Sequence, residues 1–127
     1  MWRNRPTNFN GTITRLVKDH VRTIAIDALA QNIQRSPVDT GRYRNNHAIG
    51  VNAVDGSTNR APDPSGGGSS AEQGKLSNLP DFPTVFISNG LPYAQPIEDG
   101  ISTTQAPSGV FRPTFSFISE RYRRVTL

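Results

Sequence analysis

The sequence contains no cysteine, and this absence alone removes several classes of protein. Without thiols the chain forms no disulfide bond, no thiolate metal site and no cysteine nucleophile. Its apolar runs fall short of the roughly 18 residues that span a bilayer. The basic residues 1–6 are followed by polar residues instead of an apolar core segment, so we expect no signal peptide. We expect a protein that is made in a reducing cytoplasm and has no membrane partner.

Residue patterns that carry catalysis or bind cofactors are also missing. The two histidines, His20 and His47, lie outside any His-x-x-His or His-Glu-x-x-His spacing, and we interpret both as structural. The glycine run at residues 66–68 lacks the lysine of a phosphate-binding loop, and no Gly-x-Ser-x-Gly elbow occurs. We therefore expect no catalytic residue, no cofactor and no metal site, and we expect that the protein is not an enzyme.

Apolar residues are scarce, at 34% of the chain. A chain of 127 residues fits one domain, here residues 1–127, with a modest core. A subunit with little apolar material can complete its burial against neighbours, because obligate interfaces resemble a domain core cut in half. The composition therefore favours a homo-oligomer.

The net charge of +4 is unevenly distributed. Residues 1–47 carry eight basic and three acidic side chains, whereas residues 81–111 carry three acidic and no basic ones. Separated basic and acidic surfaces allow a subunit to dock on the side of a copy of itself, and such contacts generate rings. Ordinary solvated surface explains the same distribution, so charge alone leaves both interpretations open.

Hydrophobic periodicity predicts an α+β fold with a small antiparallel sheet. From Ile13 apolar residues recur at three- and four-residue steps, which predicts a long N-terminal helix over residues 12–34 that ends before Pro37. Apolar residues at every second position predict a strand over residues 42–53. Residues 84–88 are predicted to be its partner strand. Between them, residues 55–82 are rich in Gly, Ser and Pro and predict a long flexible loop.

Two helices are expected after the second strand. Tyr93 and Ile97 are four residues apart, which predicts a short helix with Ile97 in the core. Pro113 suits the first turn of a C-terminal helix. The inward side of that helix would be formed by Phe115, Ile118, Tyr122 and Val125. Four glycines lie where turns need positive φ or a close backbone approach, and we interpret them as structural: Gly41, Gly90, Gly100 and Gly109.

Three segments in this order resemble one family of phage proteins. They are residues 36–44 (Ser-Pro-Val-Asp-Thr-Gly-Arg-Tyr-Arg), residues 89–100 with Tyr-Ala-Gln-Pro-Ile-Glu-Asp-Gly, and residues 105–113 with Gln-Ala-Pro-Ser-Gly. The resemblance covers most of the chain outside residues 55–82, and these three segments carry it. The combination resembles the tail-completion or neck proteins of long-tailed bacteriophages, the head-proximal, tail-terminator-like components.

This resemblance implies a structural protein of the virion. Such a protein is made in the host cytoplasm, forms a ring that we expect to be a hexamer, and joins the tail tube to the head connector. DNA would pass through the ring without sequence-specific contact. A head-side stopper or another minor tail component is the alternative within this class. A small basic nucleic-acid-binding protein is the alternative from another class, because Arg121, Arg123 and Arg124 lie close together.

We identify candidate subunit contacts among the charged and polar residues of these motifs. They are Arg42, Arg44, Tyr93, Gln95, Glu98, Asp99 and Arg112. We expect most arginines to face other subunits, with the acidic residues 81–111 as one partner surface. We also expect that Ile97→Asp abolishes folding or assembly, and that Arg60→Ala in the loop is nearly silent.

Overall fold

The computed structural model describes residues 6–38, 41–56, 58–92, 94–100, 105–106 and 108–123, with the backbone only at residues 6–12. Its elements are α1 (Pro6–Arg35), β1 (His47–Val51), α2 (Gly67–Ala71), β2 (Val85–Asn89), α3 (Ala94–Glu98) and α4 (Phe111–Arg121). Two 3-10 helices, Arg44–Asn46 and Glu72–Leu76, precede β1 and follow α2. The predicted α+β class, with a long N-terminal helix and a C-terminal helix, is confirmed. None of the described helices is long and apolar enough to cross a membrane.

The sheet consists of β1 and β2 in antiparallel pairing, with Ile49 opposite Ile87. Side chains of alternate residues share one face, so Ile49 and Ile87 both point towards α1. There they meet Ala25 and Leu29, which lie one helical turn apart on α1. This cluster forms the main core of the molecule, and it holds α1 against the sheet.

A second cluster surrounds α3. Ile97 is 7% exposed and lies among Tyr43, Leu91, Ala106 and Val110. Because these residues come from the three segments that carry the family resemblance, the segments form one packed unit beside the sheet. Ile97 is a core residue, as the four-residue spacing predicts.

The segment 55–82 differs from the prediction of a flexible loop without regular structure. It contains α2 and the second 3-10 helix, and it contributes Leu76 and Leu79, which are 0% and 5% exposed, to the main core. The few apolar residues of this segment are spread among many Gly and Ser residues. They form too short a hydrophobic pattern to predict a helix. The segment is therefore part of the fold and not an excursion from it.

The first strand is shorter than predicted. Asn45 and Asn46 lie in a 3-10 helix, where Asn46 Nδ2 donates to the carbonyl of Arg42 at 2.7 Å. Asparagine side chains that bond nearby backbone groups compete with strand pairing, which explains the later start of β1. The strand ends before Asn52, whose φ of +61° turns the chain away.

The C-terminal helix has a different inward face from the predicted one. Thr114 is buried, whereas Phe115 is 73% exposed. Contacts with α1 set this orientation: the guanidinium of Arg35 lies 5.6 Å from the ring centroid of Phe117. Ile118 and Tyr122 are half-buried, as expected for the inward side, and Val125 lies outside the described residues.

The four glycines occupy turns or close contacts. Gly41, Gly100 and Gly109 have φ values of +80°, +89° and +82°. Gly90 has a close neighbour instead, because a Cβ atom there would lie 2.2 Å from the carbonyl oxygen of Gly56. A side chain at any of the four positions would strain the backbone or displace it.

Candidate assembly surface

Side chains close the outer edge of β1. The amide of His47 donates to Ser69 Oγ at 2.9 Å, and the amide of Ile49 donates to Glu72 Oε1 at 3.0 Å. Ser69 is 0% exposed. It lies beside β1 because α2 packs on the 3-10 helix that precedes this strand. Both outward amides in this part of β1 are therefore satisfied within the subunit.

The outward carbonyls of the same strand are satisfied by two cations. Arg60 Nη1 donates to the carbonyl of His47 at 3.1 Å, and Lys75 Nζ donates to the carbonyl of Ile49 at 3.2 Å. Both cations also pair with Glu72, at 2.9 Å for Arg60 Nη2 and 2.7 Å for Lys75 Nζ. These side chains occupy the place where another strand would pair, so β1 cannot accept one.

The outer edge of β2 has no partner strand among the described residues. Along two antiparallel strands, opposite residues alternate between pairs that share backbone hydrogen bonds and pairs that do not. His47 and Ile49 belong to the second kind, because their backbone groups point away from β2. Ile87, the partner of Ile49, therefore directs its backbone groups to the far side, and so does Val85, the partner of Val51 two residues along the strand. Among the described residues, no hydrogen bond outside the sheet reaches the backbone of Val85 or Ile87. An unpaired edge of this kind is a template for another strand.

An apolar groove of about 350 Å³ lies between this open edge and α1. Its lining includes Val21, Ile24 and Ala28 from α1 and Pro83, Val85 and Ile87 from β2 and the residues before it. Phe82, directly before Pro83, is 59% exposed. Exposed apolar surface next to an unpaired strand is typical of a site that binds another polypeptide.

Glu98, one of the predicted subunit contacts, caps α4 within its own subunit. Its carboxylate accepts hydrogen bonds from the amides of Val110, Phe111 and Arg112 at 2.8 to 2.9 Å. These amides begin α4 and have no partner inside the helix, so Glu98 caps α4 from a distance. Glu98 therefore has an internal role at the start of α4, and its role as a subunit contact stays a prediction.

The cap depends on close approach of two segments. A Cβ atom at Gly109 would lie 2.5 Å from the carbonyl oxygen of Glu98. Burial raises the pKa of the Tyr43 phenol, and the nearby Glu98 carboxylate raises it further. Tyr43 belongs to the second core cluster, together with Ile97 of α3 and Val110 before α4.

Two arginines from the predicted set also make contacts inside the subunit. Arg44 Nη2 donates to the carbonyl of Ser36 at 2.9 Å, which fixes the chain at the end of α1. Arg42 Nη2 donates to Asn59 Oδ1 at 2.6 Å. Both side chains connect the first family-like segment to other parts of the same chain. Both side chains therefore have a structural role within the subunit, and their interpretation as subunit contacts stays a prediction.

The remaining predicted contacts are exposed or lie outside the described residues. Gln95, Asp99 and Arg112 are exposed, and Gln95 Nε2 donates to Asp99 Oδ1 at 3.1 Å. Tyr93 lies outside the described residues. None of the described members of this set lines the apolar groove. Sequence reasoning therefore missed the groove, whose apolar residues look like ordinary core positions in the sequence.

The expected partnership between the acidic region 81–111 and basic residues of other subunits is not needed to neutralise Asp81. Asp81 Oδ1 lies 2.8 Å from Lys18 Nζ of the same chain. Near the end of α4, Arg121 Nη1 lies 3.2 Å from Asp27 Oδ2, and Arg123 pairs loosely with Glu120 at 3.9 Å. The described part of the C-terminal basic cluster is thus partly neutralised, and this observation does not favour a nucleic-acid-binding surface.

Ser36 and His47 form a buried pair that the sequence pattern does not reveal. His47 Nε2 lies 2.7 Å from Ser36 Oγ, and the hydroxyl of Ser36 donates to the carbonyl of Asn32. Burial lowers the pKa of His47 to about 3, and the nearby Arg60 and Arg44 lower it as well. Ser36 and His47 are 3% and 0% exposed, so a substrate has no access to them. We interpret the pair as part of the core.

The described residues contain no group of three or more His, Asp and Glu side chains that could hold a metal ion. Comparisons with protein-family models, with curated proteins and with solved structures found no significant match to this chain. The likeness to phage neck proteins therefore stays a prediction from the three sequence segments.

Proposed function

We propose that this chain is a structural subunit of a ring at the neck or head-proximal end of the tail of a long-tailed phage. The ring completes or terminates the tail and joins it to the head connector. Sequence motifs support the family, and one structural observation supports assembly. Side chains close the sheet at β1, whereas no described segment pairs with β2, which lies beside an apolar groove.

The β2 edge has no partner strand among the described residues, and an edge of this kind favours association with another chain. In a second copy the outer edge of β1 is occupied by Glu72 and its partners, so β2 cannot pair with it. A β2 edge can pair with the same edge of a second copy in a twofold dimer, whereas a ring requires β2 to contact a different surface of its neighbour. Contacts between unlike surfaces close into a ring when the rotation between neighbours completes a circle.

Internal ion pairs also suit a ring that DNA must traverse. Lys18 pairs with Asp81, and Arg121 pairs with Asp27, within one subunit. A strongly basic lumen would hold DNA through the release of counterions and slow its passage. Subunits whose cations are partly neutralised internally leave fewer charges to bind the genome.

Deletion of the gene from the parent phage tests this proposal, with the particles examined by electron microscopy. Overlong tail tubes next to unattached heads are expected if the protein terminates the tail. Filled heads that lose DNA would instead identify the head-side stopper. Normal infectious particles without this protein would refute a role in the virion.

A binding assay separates the proposal from the other class of function. Purified protein is titrated with duplex DNA at 50 and 200 mM salt. A ring subunit should show weak binding that is independent of sequence. A stable monomer with tight DNA binding that falls steeply with salt would favour a nucleic-acid-binding protein instead.

A further inference from the structure

We infer that Arg35 of one subunit forms an ion pair with Asp99 of a neighbouring copy, in a pocket at the end of α1. This inference rests on the proposed function, because it names a contact that joins one ring subunit to the next. Neither side chain has a partner of opposite charge among the described residues of its own subunit.

The pocket has a volume of about 320 Å³ and lies where the end of α1 meets the start of α4. Its lining consists of Arg35, Gln105, Ala106, Ser108, Gly109 and Pro113. Gln105 Oε1 accepts a hydrogen bond from the amide of Val38 at 2.7 Å, which ties Gln105 to the chain just after α1. Segments that are far apart in the sequence are therefore held together around this pocket.

Arg35 is a half-buried cation without an acceptor. Its Nε atom is buried and makes no hydrogen bond, and among the described residues no carboxylate or carbonyl accepts from its guanidinium. The guanidinium lies over the ring of Phe117, at 5.6 Å from the centroid. An arginine that stacks on an aromatic face keeps its N–H groups for an anion, because they lie in the guanidinium plane. A buried donor without an acceptor is costly, so Arg35 favours the approach of an anionic group.

The other two polar side chains of the pocket also offer donors. No described group accepts from Nε2 of Gln105 or from the hydroxyl of Ser108. A carboxylate accepts through two oxygens, and its shape matches the fork of the guanidinium. A pocket with three donors and no paired acceptor for them therefore fits one carboxylate side chain.

The acidic region 81–111 leaves one residue to fill this role. Asp81 pairs with Lys18 at 2.8 Å inside the subunit. Glu98 bonds three amides at the start of α4, so its charge is also used internally. Asp99 is the remaining acidic residue of the region.

Asp99 is exposed just after α3, where another chain has access to it. Gln95 Nε2 donates to its Oδ1 at 3.1 Å, but this neutral amide leaves the charge of Asp99 uncompensated. Charge complementarity therefore favours Asp99 of a neighbouring copy as the group that enters the Arg35 pocket. A contact between two unlike surfaces of this kind suits a ring.

A DNA phosphate fits the pocket less well. Binding to duplex DNA requires several cations along one surface. Arg121, which also lies over the ring of Phe117, already pairs with Asp27 at 3.2 Å. Glu98 adds negative charge beside the pocket, since its Oε2 would lie 2.8 Å from a Cβ atom at Gly109. A single carboxylate meets one cation here without a second charge to satisfy.

Charge reversal on each side distinguishes this pair from a contact inside one subunit. Arg35→Glu and Asp99→Arg each place like charges at the contact, so each should weaken assembly by at least about tenfold in concentration. Mixed in equal amounts, the two variants should assemble again, because alternation of the two chains places opposite charges at every contact. Arg15→Glu and Glu120→Arg are the matched controls, since both residues are exposed on α1 and α4. Arg35→Gln is a second pocket variant in case Arg35→Glu does not fold, as judged by circular dichroism.

Light scattering coupled to size-exclusion chromatography measures the assemblies. Wild type and both controls should form the same ring, whereas each charge-reversal variant should shift to single chains of about 13.9 kDa. The equimolar mixture should form a ring that contains both variants in equal amounts, as measured by native mass spectrometry.

The other outcomes overturn the inference in distinguishable ways. A ring formed by either charge-reversal variant alone, as readily as by wild type, would refute the ion pair and leave the proposed function standing. Single chains in the mixture would show that Arg35 and Asp99 do not meet between subunits. Tight binding of wild type to duplex DNA that Arg35→Glu abolishes would assign the pocket to a phosphate instead. A wild-type protein that stays monomeric at all concentrations would refute the ring itself, and the ion pair with it.

Discussion

Replacing Arg60 by alanine removes the cation that joins the segment 55–82 to β1. The guanidinium pairs with Glu72 at 2.9 Å and donates to the carbonyls of Asn45 and His47 at 2.8 and 3.1 Å. In the variant, Glu72 keeps Lys75 and the amide of Ile49 as partners. Two backbone carbonyls, however, lose a charged donor at a part-buried site.

The structure sets the size of the effect. Removing one partner from a buried ion pair costs about 3–5 kcal/mol, and a hydrogen bond to a charged group contributes about 1.5–3 kcal/mol. Because the Arg60 side chain is 24% exposed, water compensates for part of this loss. We expect Arg60→Ala to lower the free energy of unfolding by about 2–4 kcal/mol. The thermal midpoint should fall by roughly 8–15 °C.

Urea denaturation followed by circular dichroism measures this loss, with Arg15→Ala as the matched control. Arg15 is exposed on α1, and its replacement should change the free energy of unfolding by less than about 0.5 kcal/mol. Equal, small effects of the two substitutions would refute the role of Arg60 in the fold. That result would also restore the expectation from sequence that Arg60→Ala is nearly silent.

Three further substitutions test other parts of the structure by the same denaturation assay. Glu98→Ala should lower the free energy of unfolding by about 1–2 kcal/mol, because three amides at the start of α4 lose their acceptor. Its control, Glu120→Ala on the exposed side of α4, should leave this free energy nearly unchanged. Ile97→Asp should lower the free energy of unfolding by more than about 3 kcal/mol, because it places a charge in the second core cluster. Its control, Gln95→Asp on the exposed side of α3, should not cause a loss of this size. Because the folded-state pKa of His47 is about 3, the unfolded chain takes up a proton between pH 6.5 and 3 that the folded chain excludes. The free energy of unfolding of the wild type should therefore fall by roughly 1 kcal/mol for each pH unit as the pH drops through that window. The free energy of unfolding of His47→Gln should fall less. Identical pH profiles of the two proteins would contradict this reasoning.

Regular features of the fold follow from the sequence pattern. The three- and four-residue steps on α1 bring Ala25 and Leu29 onto the sheet, and the antiparallel pair of strands appears where the period is two. Ile97 is buried as its spacing with Tyr93 predicts. Such features depend on neighbours close in sequence, and local periodicity reports them directly.

Features that depend on distant partners could not be predicted in this way. Ser69 and Glu72 close the edge of β1 from 22 and 23 residues away, and neither residue belongs to a pattern that indicates a partner. The sequence allows Glu98 to bond a backbone amide or a nearby arginine, but which amides it reaches depends on the position of α4. The groove escapes prediction for a related reason: Val21 and Ile24 fit the apolar stripe of α1, and only the structure shows that no described segment covers them completely.

Native mass spectrometry of the purified full chain is the most direct test of assembly through the β2 edge. We expect one dominant species with a fixed number of copies, six by analogy with the family it resembles, and an annular shape in electron micrographs. The Ala28→Arg variant, which blocks the groove, should lose this species, and Ala30→Arg on the exposed side of α1 should retain it. Single chains of wild type at micromolar concentration, or rings that persist when the groove is blocked, would contradict assembly through this edge.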